Sequence, residues 1–474
     1  MKRGDMESNV PVEFPRGFLY GEDLSYIPAG YRKVEEVERL YAHAWTPISS
    51  ATESQSFAVV LGHCVSTENV EEQAAECLVR ALSQGERVFF KTLERFTGRY
   101  VVIFGQTGQI NFVTDAAGMR SVFYSADGDL VASHALLIER NLPGQVERLS
   151  WQIGRGYPGN RVPYKRVRIL TPNSYYAFNE NRIYRFWPTE PIPSQTVESS
   201  SLEVLERMST GIRGLAKRGP IKSSLTAGSD SRCLLATALY SGVGFETYTY
   251  GTRYRTLVDR QAAAEISRAV GIKHTVPESE TLSPMLKSAL ADANYTNLHW
   301  SNVPGLISWI GDSNAIVLME ILLEIGTGAS AVNFPDQPAP TDAEAMALLY
   351  IKTMPYKKRQ SVEEKNYSQY LEFATGAFED WIEATGGPNP SLINPYVQFF
   401  WEHRMATWHG PTMAERDFYA TPINPSNSIS IYKAMLGVSD GEQKSGVVPK
   451  AIVERVEPKL LQFPVNPKRW ERQS

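Results

Sequence analysis

Six small or polar residues, Thr226-Ala-Gly-Ser-Asp-Ser231, separate the β-type run Ile221-Lys-Ser-Ser-Leu225 from Arg232-Cys-Leu-Leu-Ala-Thr-Ala-Leu-Tyr240, which opens a helix. Small residues at such a junction let backbone amides close around an anion, and the positive end of the helix dipole favours it. Phosphate is the natural guest. Asp230 inside that loop would repel a phosphate unless a divalent cation bridged the two, so it reads as a Mg2+ ligand. The same residues also suit an ordinary strand-to-helix turn in which Ser and Asp cap the helix. Chemistry alone leaves both readings open.

A loop of this kind needs a parallel sheet to carry it, and the pattern around it predicts one. Apolar spacing predicts helices over 199–217, 232–241 and 256–270, alternating with strands over 221–225, 245–250, 272–276 and 315–318. Such alternation argues for parallel strands with helices on both faces, and ligands sit at the C-terminal ends of such strands. In the third helix Val258, Ala262, Ile266, Ala269 and Val270 share one face and are expected in the core. Residues 345–474 read as mainly helical.

The first 190 residues have a different texture. Arg99-Tyr-Val-Val-Ile-Phe104 and Gln109-Ile-Asn-Phe-Val113 flank Gly105-Gln-Thr-Gly108, and two further β-rich pairs flank Ala126-Asp-Gly-Asp129 and Asn179-Glu-Asn-Arg182. These are hairpin signals. With helices predicted over 70–84 and 133–139, this half reads as an α+β domain on antiparallel sheet. Pro188-Thr-Glu-Pro-Ile-Pro-Ser194 breaks the pattern, so the domains are drawn at 1–192 and 193–474.

With 474 residues the chain has room for two or three cores, and a net charge of −4 argues against a general nucleic-acid coat. Cys64, Cys77 and Cys233 are too few and too scattered for a disulfide framework or a zinc site. Met1-Lys-Arg-Gly-Asp5 leads into Met6-Glu-Ser-Asn9 rather than an apolar run, so no secretory signal is expected. The most apolar stretch, 315–325, is interrupted by Glu320 and Glu324 and falls short of the roughly 20 residues of a membrane span. A cytoplasmic location is expected, with no membrane and no nucleic-acid partner.

Leu225-Thr-Ala-Gly-Ser-Asp-Ser231 resembles the Ser-Gly-Gly-x-Asp-Ser pyrophosphate loop of the asparagine synthetase superfamily, with Thr226 and Ala227 in place of Ser and Gly. Leu93-Glu-Arg-Phe-Thr-Gly-Arg-Tyr100 and Asp115-Ala-Ala-Gly-Met-Arg-Ser-Val-Phe-Tyr124 are similar to its amidotransferase-type domain, a Gly-Asp-Phe-Ala strand followed by Arg-Asp-x-x-Gly-x-x-x-Leu-Tyr-Tyr. Ile169-Leu-Thr-Pro-Asn173 and Tyr184-Arg-Phe-Trp187 resemble the closing Leu-Pro-Pro-Gly and Tyr-Trp signature. The matches span most of the chain in the family's order. The resemblance implies an N-terminal α+β, antiparallel-sheet amidotransferase-like (Ntn-type) domain and a C-terminal α/β, parallel-sheet ATP pyrophosphatase (PP-loop, HUP-like) domain. Glutamine-hydrolysing members use an N-terminal Cys whose own α-amino group is the base. This sequence opens Met1-Lys-Arg, and Cys64 and Cys77 lie inside the domain, so glutamine hydrolysis is not expected. β-Lactam synthetases, carbapenam synthetases and lasso-peptide cyclases share that departure.

By position in the resemblance, Leu225, Thr226, Ala227, Gly228, Ser229, Asp230 and Ser231 would bind the phosphates of ATP, with Asp230 on Mg2+. Thr249-Tyr-Gly-Thr252 resembles the strand end that holds adenine, where Gly251 lets backbone approach a flat base; a turn glycine is the alternative. Asp259 matches the Asp opening the next helix, although Thr256-Leu-Val-Asp259 is itself a capping box. His274 matches a family His, with a structural role as the alternative. Val317-Leu-Met-Glu-Ile-Leu-Leu-Glu-Ile-Gly-Thr-Gly328 falls on the family's Leu-Ser-Gly-Glu-Gly-x-Asp-Glu loop, which puts Glu320 on the catalytic-loop Glu. Met319, Ile321 and Leu323 replace two Gly and the metal-binding Asp, so Glu324 would supply the second carboxylate; a buried strand with two exposed acids is the alternative. Gln443-Lys444 resembles the late segment whose Lys neutralises charge as the adenylate forms, with Lys450 as a substitute. Arg404, in Trp401-Glu-His-Arg404, would bind a substrate carboxylate or simply pack.

The resemblance therefore implies an ATP- and Mg2+-dependent carbon–nitrogen ligase that activates a carboxylate as an acyl-adenylate and couples it to an amine, as in lasso-peptide or lactam cyclisation. Its expected partners are a carboxylate and an amine, small molecules or peptides, together with a homodimer or a biosynthetic partner protein. The alternative is a non-catalytic relative that binds nucleotide or a partner protein. RNA thiolation, a third use of this fold, needs reactive cysteines at the site.

Overall fold

The computed structural model describes residues 12–151, 156–251, 256–278, 280–295, 300–311, 314–328 and 338–468, side chains at 357, 358 and 363–365 excepted. The expectations placed on residues 1–9 and on Thr252 lie outside the described residues.

Strict alternation builds the N-terminal half. In the strands Ser56–Ser66 and Phe96–Gln106, paired antiparallel along their whole length, Val59, Leu61, Val101 and Ile103 point to one side, and Ala58, Val60, Val102 and Phe104 to the other. Side chains alternate across a strand, so both faces of this sheet are apolar and both must be covered. The first set packs against Phe18, Tyr20, Leu40 and Val131 of a second antiparallel sheet. The other set packs under the helices Ala74–Ser83 and Glu86–Leu93. Two six-stranded sheets thus lie face to face with helices outside. The helix predicted over 70–84 ends at Ser83, and a second begins after Gly85, whose φ of +120° is open to glycine.

The third sheet has five strands, all parallel, in the order His274–Thr275, Phe245–Tyr248, Ile221–Ser224, Ile316–Leu318, Thr421–Ile423. Ile316 and Leu318 face the helices Val197–Ala216 and Ser229–Ser241, and Val317 faces the opposite core. Several predicted elements differ in extent. The helix expected from Arg232 starts at Ser229, so the last three loop residues form its first turn. The strands expected over 245–250 and 272–276 shorten to Phe245–Tyr248 and His274–Thr275.

Between Trp187 and the helix starting at Val197, the Pro-rich segment contains a cis Trp187–Pro188 bond. Buried charges join the halves. Arg99 holds Asp417 through two bonds of 2.6 and 2.8 Å, and Asp115 accepts from Asn427 Nδ2 at 2.8 Å. No helix among the described residues is long and apolar enough to cross a membrane.

Candidate functional site

The strand Ile221–Ser224 pairs with Phe245–Tyr248 on one side and Ile316–Leu318 on the other. The chain therefore winds away from it in both directions, and a crevice opens at the C-terminal strand ends, where ligands of such sheets bind. Two segments leave their strands at this crevice: the loop from Leu225 to Ser231 and the turn carrying Glu320 and Glu324.

Within the loop, side chains already hold three backbone amides. Ser231 Oγ accepts from Thr226 N (3.2 Å), Thr226 Oγ1 accepts from Gly228 N (3.2 Å), and Asp259 Oδ1 accepts from Ala227 N (2.9 Å). Thr226 and Ser231 hydroxyls also meet at 3.0 Å. Gly228 precedes the helix Ser229–Ser241 without a side-chain cap. The reading of Ser and Asp as caps is therefore not realised: Ser229 Oγ donates instead to Asp230 Oδ1 (3.0 Å). The capping box at Thr256 and Asp259 is corrected in the same way. Thr256 makes no side-chain cap bond, and the Asp259 carboxylate turns away from its own helix to the loop. Leu225 is fully buried, its N–H on Tyr248 O and its carbonyl accepting from Thr249 Oγ1 at 2.6 Å.

Sequence reasoning misses Arg232. Its guanidinium donates to the carbonyls of Ala227 (3.0 Å), Leu460 (3.2 Å), Phe463 (2.6 Å) and Pro464 (2.6 Å), and Asn466 N donates to Ala227 O (3.1 Å). The segment after residue 460 is thereby tied to the loop. A cation in the first turn of a helix opposes the dipole, and that misfit is the available signal. Burial lowers this guanidinium to about 10, still charged at neutral pH.

A cleft of about 780 Å³ opens beside the loop, and Ser229, Asp230, Glu324, Lys444, Lys450 and Asn466 are among its walls. Lys444 and Lys450 are exposed there. A capping box of Ser439 and Glu442 starts the helix Asp440–Ser445 that presents Lys444, and Gln443 Nε2 anchors it on the carbonyls of Leu436 (3.1 Å) and Val438 (2.8 Å). Loss of water raises the Asp230 carboxyl above the usual range. Glu320 lies behind it. Its Oε1 accepts from Ser426 Oγ (2.8 Å) and from the amides of Leu322 and Leu323 (3.2 Å each), whereas the buried Oε2 has no partner. Burial, with the nearby Asp230 charge adding to it, pushes the Glu320 carboxyl up to about 8.

Leu225, Thr226, Ala227, Gly228, Ser231, Asp259 and Glu320 are not among the cleft walls, and Gly251, His274 and Arg404 are not either. Gly251 has φ +108°, and a Cβ there would meet Thr256 Oγ1 at 2.7 Å, so the backbone itself requires glycine. His274 Nδ1 lies 2.9 Å from Thr247 Oγ1, and burial lowers its pKa. Arg404 stacks over Phe400 and Trp408 on the π-helical segment Phe400–His409. Cys64 and Cys233 are buried and Cys77 is half-buried, and burial raises all three thiols.

No protein-family model and no curated protein matches the chain. Among solved structures, an NMN synthetase from Francisella tularensis aligns with 28% of this chain and 59% of its own at 15% identity, TM-score 0.20. A glutamine phosphoribosylpyrophosphate amidotransferase from B. subtilis, complexed with ADP and GMP, aligns with 60% of this chain and 59% of its own at 12% identity, TM-score 0.22. A glutamine-dependent NAD+ synthetase from Acinetobacter baumannii, in complex with ADP, aligns with 52% and 46% at 12% identity, TM-score 0.15. This chain thus spans less than two thirds of each.

Proposed function

We propose that this chain is an ATP-dependent amide-forming ligase that activates a carboxylate as an acyl-adenylate and couples it to an amine. The supporting observation is the cleft at the sheet's switch point, on which Asp230, Glu324, Lys444 and Lys450 converge from segments far apart in sequence. With Glu454 and Arg232 also on its walls, three carboxylates, two ammonium groups and a guanidinium surround one space, a mixture that suits a phosphate chain carried with a hard cation.

In the proposed reaction a carboxylate oxygen of the substrate attacks the α-phosphorus of ATP, and the bond to the bridging oxygen breaks. Pyrophosphate leaves with the electron pair. The amine then attacks the acyl carbon, AMP leaves, and the product is an amide. Lys444 is placed to offset the charge that accumulates on phosphate oxygens in both steps. Glu320, its carboxyl at about 8, holds its proton at neutral pH and becomes a base for the amine only as pH rises through that value.

The donor set suits Mg2+. Asp230 and Glu324 border the same cleft, and Mg2+ is commonly held by one or two carboxylates plus phosphate oxygens and water. Asp230 and Glu324 would hold it, and when bound it would supply charge neutralisation along the phosphates. In this reading residues 1–192 are an amidotransferase-like (Ntn-type) domain and 193–474 a PP-loop domain. Peptide or lactam cyclisation is then the class of reaction to test.

A second reading, nucleotide or partner binding without catalysis, draws on the loop itself, whose Thr226, Ala227 and Gly228 amides are satisfied by side chains. ATP/pyrophosphate exchange separates the two. Labelled pyrophosphate, Mg2+ and a panel of amino acids, dicarboxylates and short peptides should give exchange dependent on one acid and abolished by Asp230→Ala. ATP binding with no exchange for any acid, amine present or absent, would favour the second reading.

A further inference from the structure

Beyond the helix Val447–Val456 the chain turns back across the loop of the candidate site. Leu460 is fully buried in the core that holds Cys233, Ala236 and Val453, and Phe463 packs on the same core. Arg232, itself buried, ties this return segment down: Nη1 donates to the carbonyls of Leu460 and Phe463, and Nη2 bridges the carbonyl of Pro464 to that of Ala227 in the loop. A guanidinium in the first turn of a helix loses water and meets the positive end of the dipole, so it is costly unless compensated. Three of its four acceptors lie on the return segment. The charge is therefore held by the segment, and the segment's position by the charge.

That position is a particular one. Asn466 has a left-handed backbone, φ +46°, which residues with side chains rarely adopt and which asparagine tolerates best among them. In this conformation its N–H reaches Ala227 O at 3.1 Å, and its Oδ1 lies 3.7 Å from the place a Cβ on Gly228 would occupy. The carboxamide makes no hydrogen bond to any described residue, and it borders the cleft together with Ser229 and Asp230. No side chain caps the helix that begins at Ser229. A tethered neutral donor thus stands beside an uncapped helix N-terminus, on the space that Lys444 and Lys450 also face. The lysines attract an anion as mobile point charges, whereas a fixed carboxamide N–H selects one oxygen.

We infer that Asn466 is a nucleotide-contacting residue: its carboxamide donates to a phosphate oxygen of ATP at the first turn of Ser229–Ser241, and Arg232 is the positioning residue that holds it there. This rests on the reading of the cleft as an ATP site.

The test is calorimetric titration of the full-length protein with ATP and, separately, with adenosine, Mg2+ present in both. Asn466→Gly removes the carboxamide and puts in its place the residue that adopts positive φ most freely. ATP affinity should fall about tenfold, as for one hydrogen bond to a charged group, with adenosine affinity and the thermal midpoint unchanged. Asn466→Asp should weaken ATP further, more at low salt than at high. Arg232→Lys keeps the charge without the fork that spans the carbonyls; it should weaken ATP to a similar extent, and adding Asn466→Gly to it should cost little more. Equal ATP affinity in Asn466→Gly and the unaltered protein would overturn the inference and leave the ATP site standing, and an equal loss for adenosine would overturn the phosphate contact. No ATP binding by the unaltered protein would overturn the ATP site and this inference together. If Arg232→Lys does not fold, the two Asn466 substitutions decide.

Discussion

The backbone N–H of Ala227 donates to Asp259 Oδ1 at 2.9 Å, so a carboxylate 32 residues downstream fixes the phosphate-binding candidate loop from outside it. Ala227 is 1% exposed, and no water can take the place of that carboxylate. Asp259→Ala should strand the amide and cost about 1–3 kcal/mol of stability, read by urea unfolding. Asp259→Asn retains an acceptor and should unfold within about 1 kcal/mol of the unaltered protein. Nucleotide affinity should follow the same order, with the Ala variant weaker. Equal stability in both variants would show that the bond does not order the loop.

Glu320 gives the fold a pH dependence with a definite sign. Its carboxyl sits at about 8 in the folded chain against 4.5 for an ordinary glutamate. Between those values the folded state binds the extra proton, so stability is full below about pH 4.5 and declines as pH rises to about 8. The loss attributable to this residue is on the order of a few kcal/mol. Glu320→Gln keeps a neutral group of the same shape. The difference in unfolding free energy between variant and unaltered protein should widen in the variant's favour from pH 5 to pH 8. A constant difference would mean that Glu320 ionises freely in the fold.

The seam between the halves offers a measurable contrast. Glu402 is fully buried and accepts from Arg185 Nη1 (2.6 Å), Arg185 Nη2 (2.9 Å), Asn173 Nδ2 (3.0 Å) and Gln398 Nε2 (3.1 Å). Removing one partner of such a pair leaves a buried charge, so Arg185→Met should cost about 3–5 kcal/mol. Arg39 and Glu22 pair where their side chains are 42% and 63% exposed, and Arg39→Met should cost no more than about 1 kcal/mol. Denaturant unfolding of the two variants under one set of conditions checks the ranking. Arg185→Met with Glu402→Leu should recover part of the loss.

The elements legible in the sequence are those that local pattern determines. Period-two runs around Gly105-Gln-Thr-Gly108 predict the hairpin formed by Phe96–Gln106 and Asn111–Thr114, and the alternation after Ser194 predicts the parallel sheet. Contacts between distant residues are illegible by the same logic. Nothing near Glu320 announces that Ser426, 106 positions away, will donate to its Oε1 while Oε2 stays buried and unpaired. Thr256 and Asp259 have the spacing of a capping box, and only the approach of Ala227 diverts the carboxylate. Thr421–Ile423, the edge of the parallel sheet, is three residues long and carries a proline, too little for a period.

Lys444 and Lys450 face the same cleft from successive helices, Asp440–Ser445 and Val447–Val456, and their roles separate kinetically. A group that meets charge only as it develops in the reaction raises the rate without tightening the ground state. Lys444→Met should therefore lower the rate of acid-dependent ATP/pyrophosphate exchange about 100-fold while ATP affinity changes less than about threefold. A lysine that only attracts the phosphates acts on binding, so Lys450→Met should weaken ATP affinity about fivefold, more at low salt than at high, and leave the saturated rate alone. The reverse pattern would move the charge-neutralising role to Lys450. No effect from either substitution on exchange or affinity would remove the cleft from the chemistry.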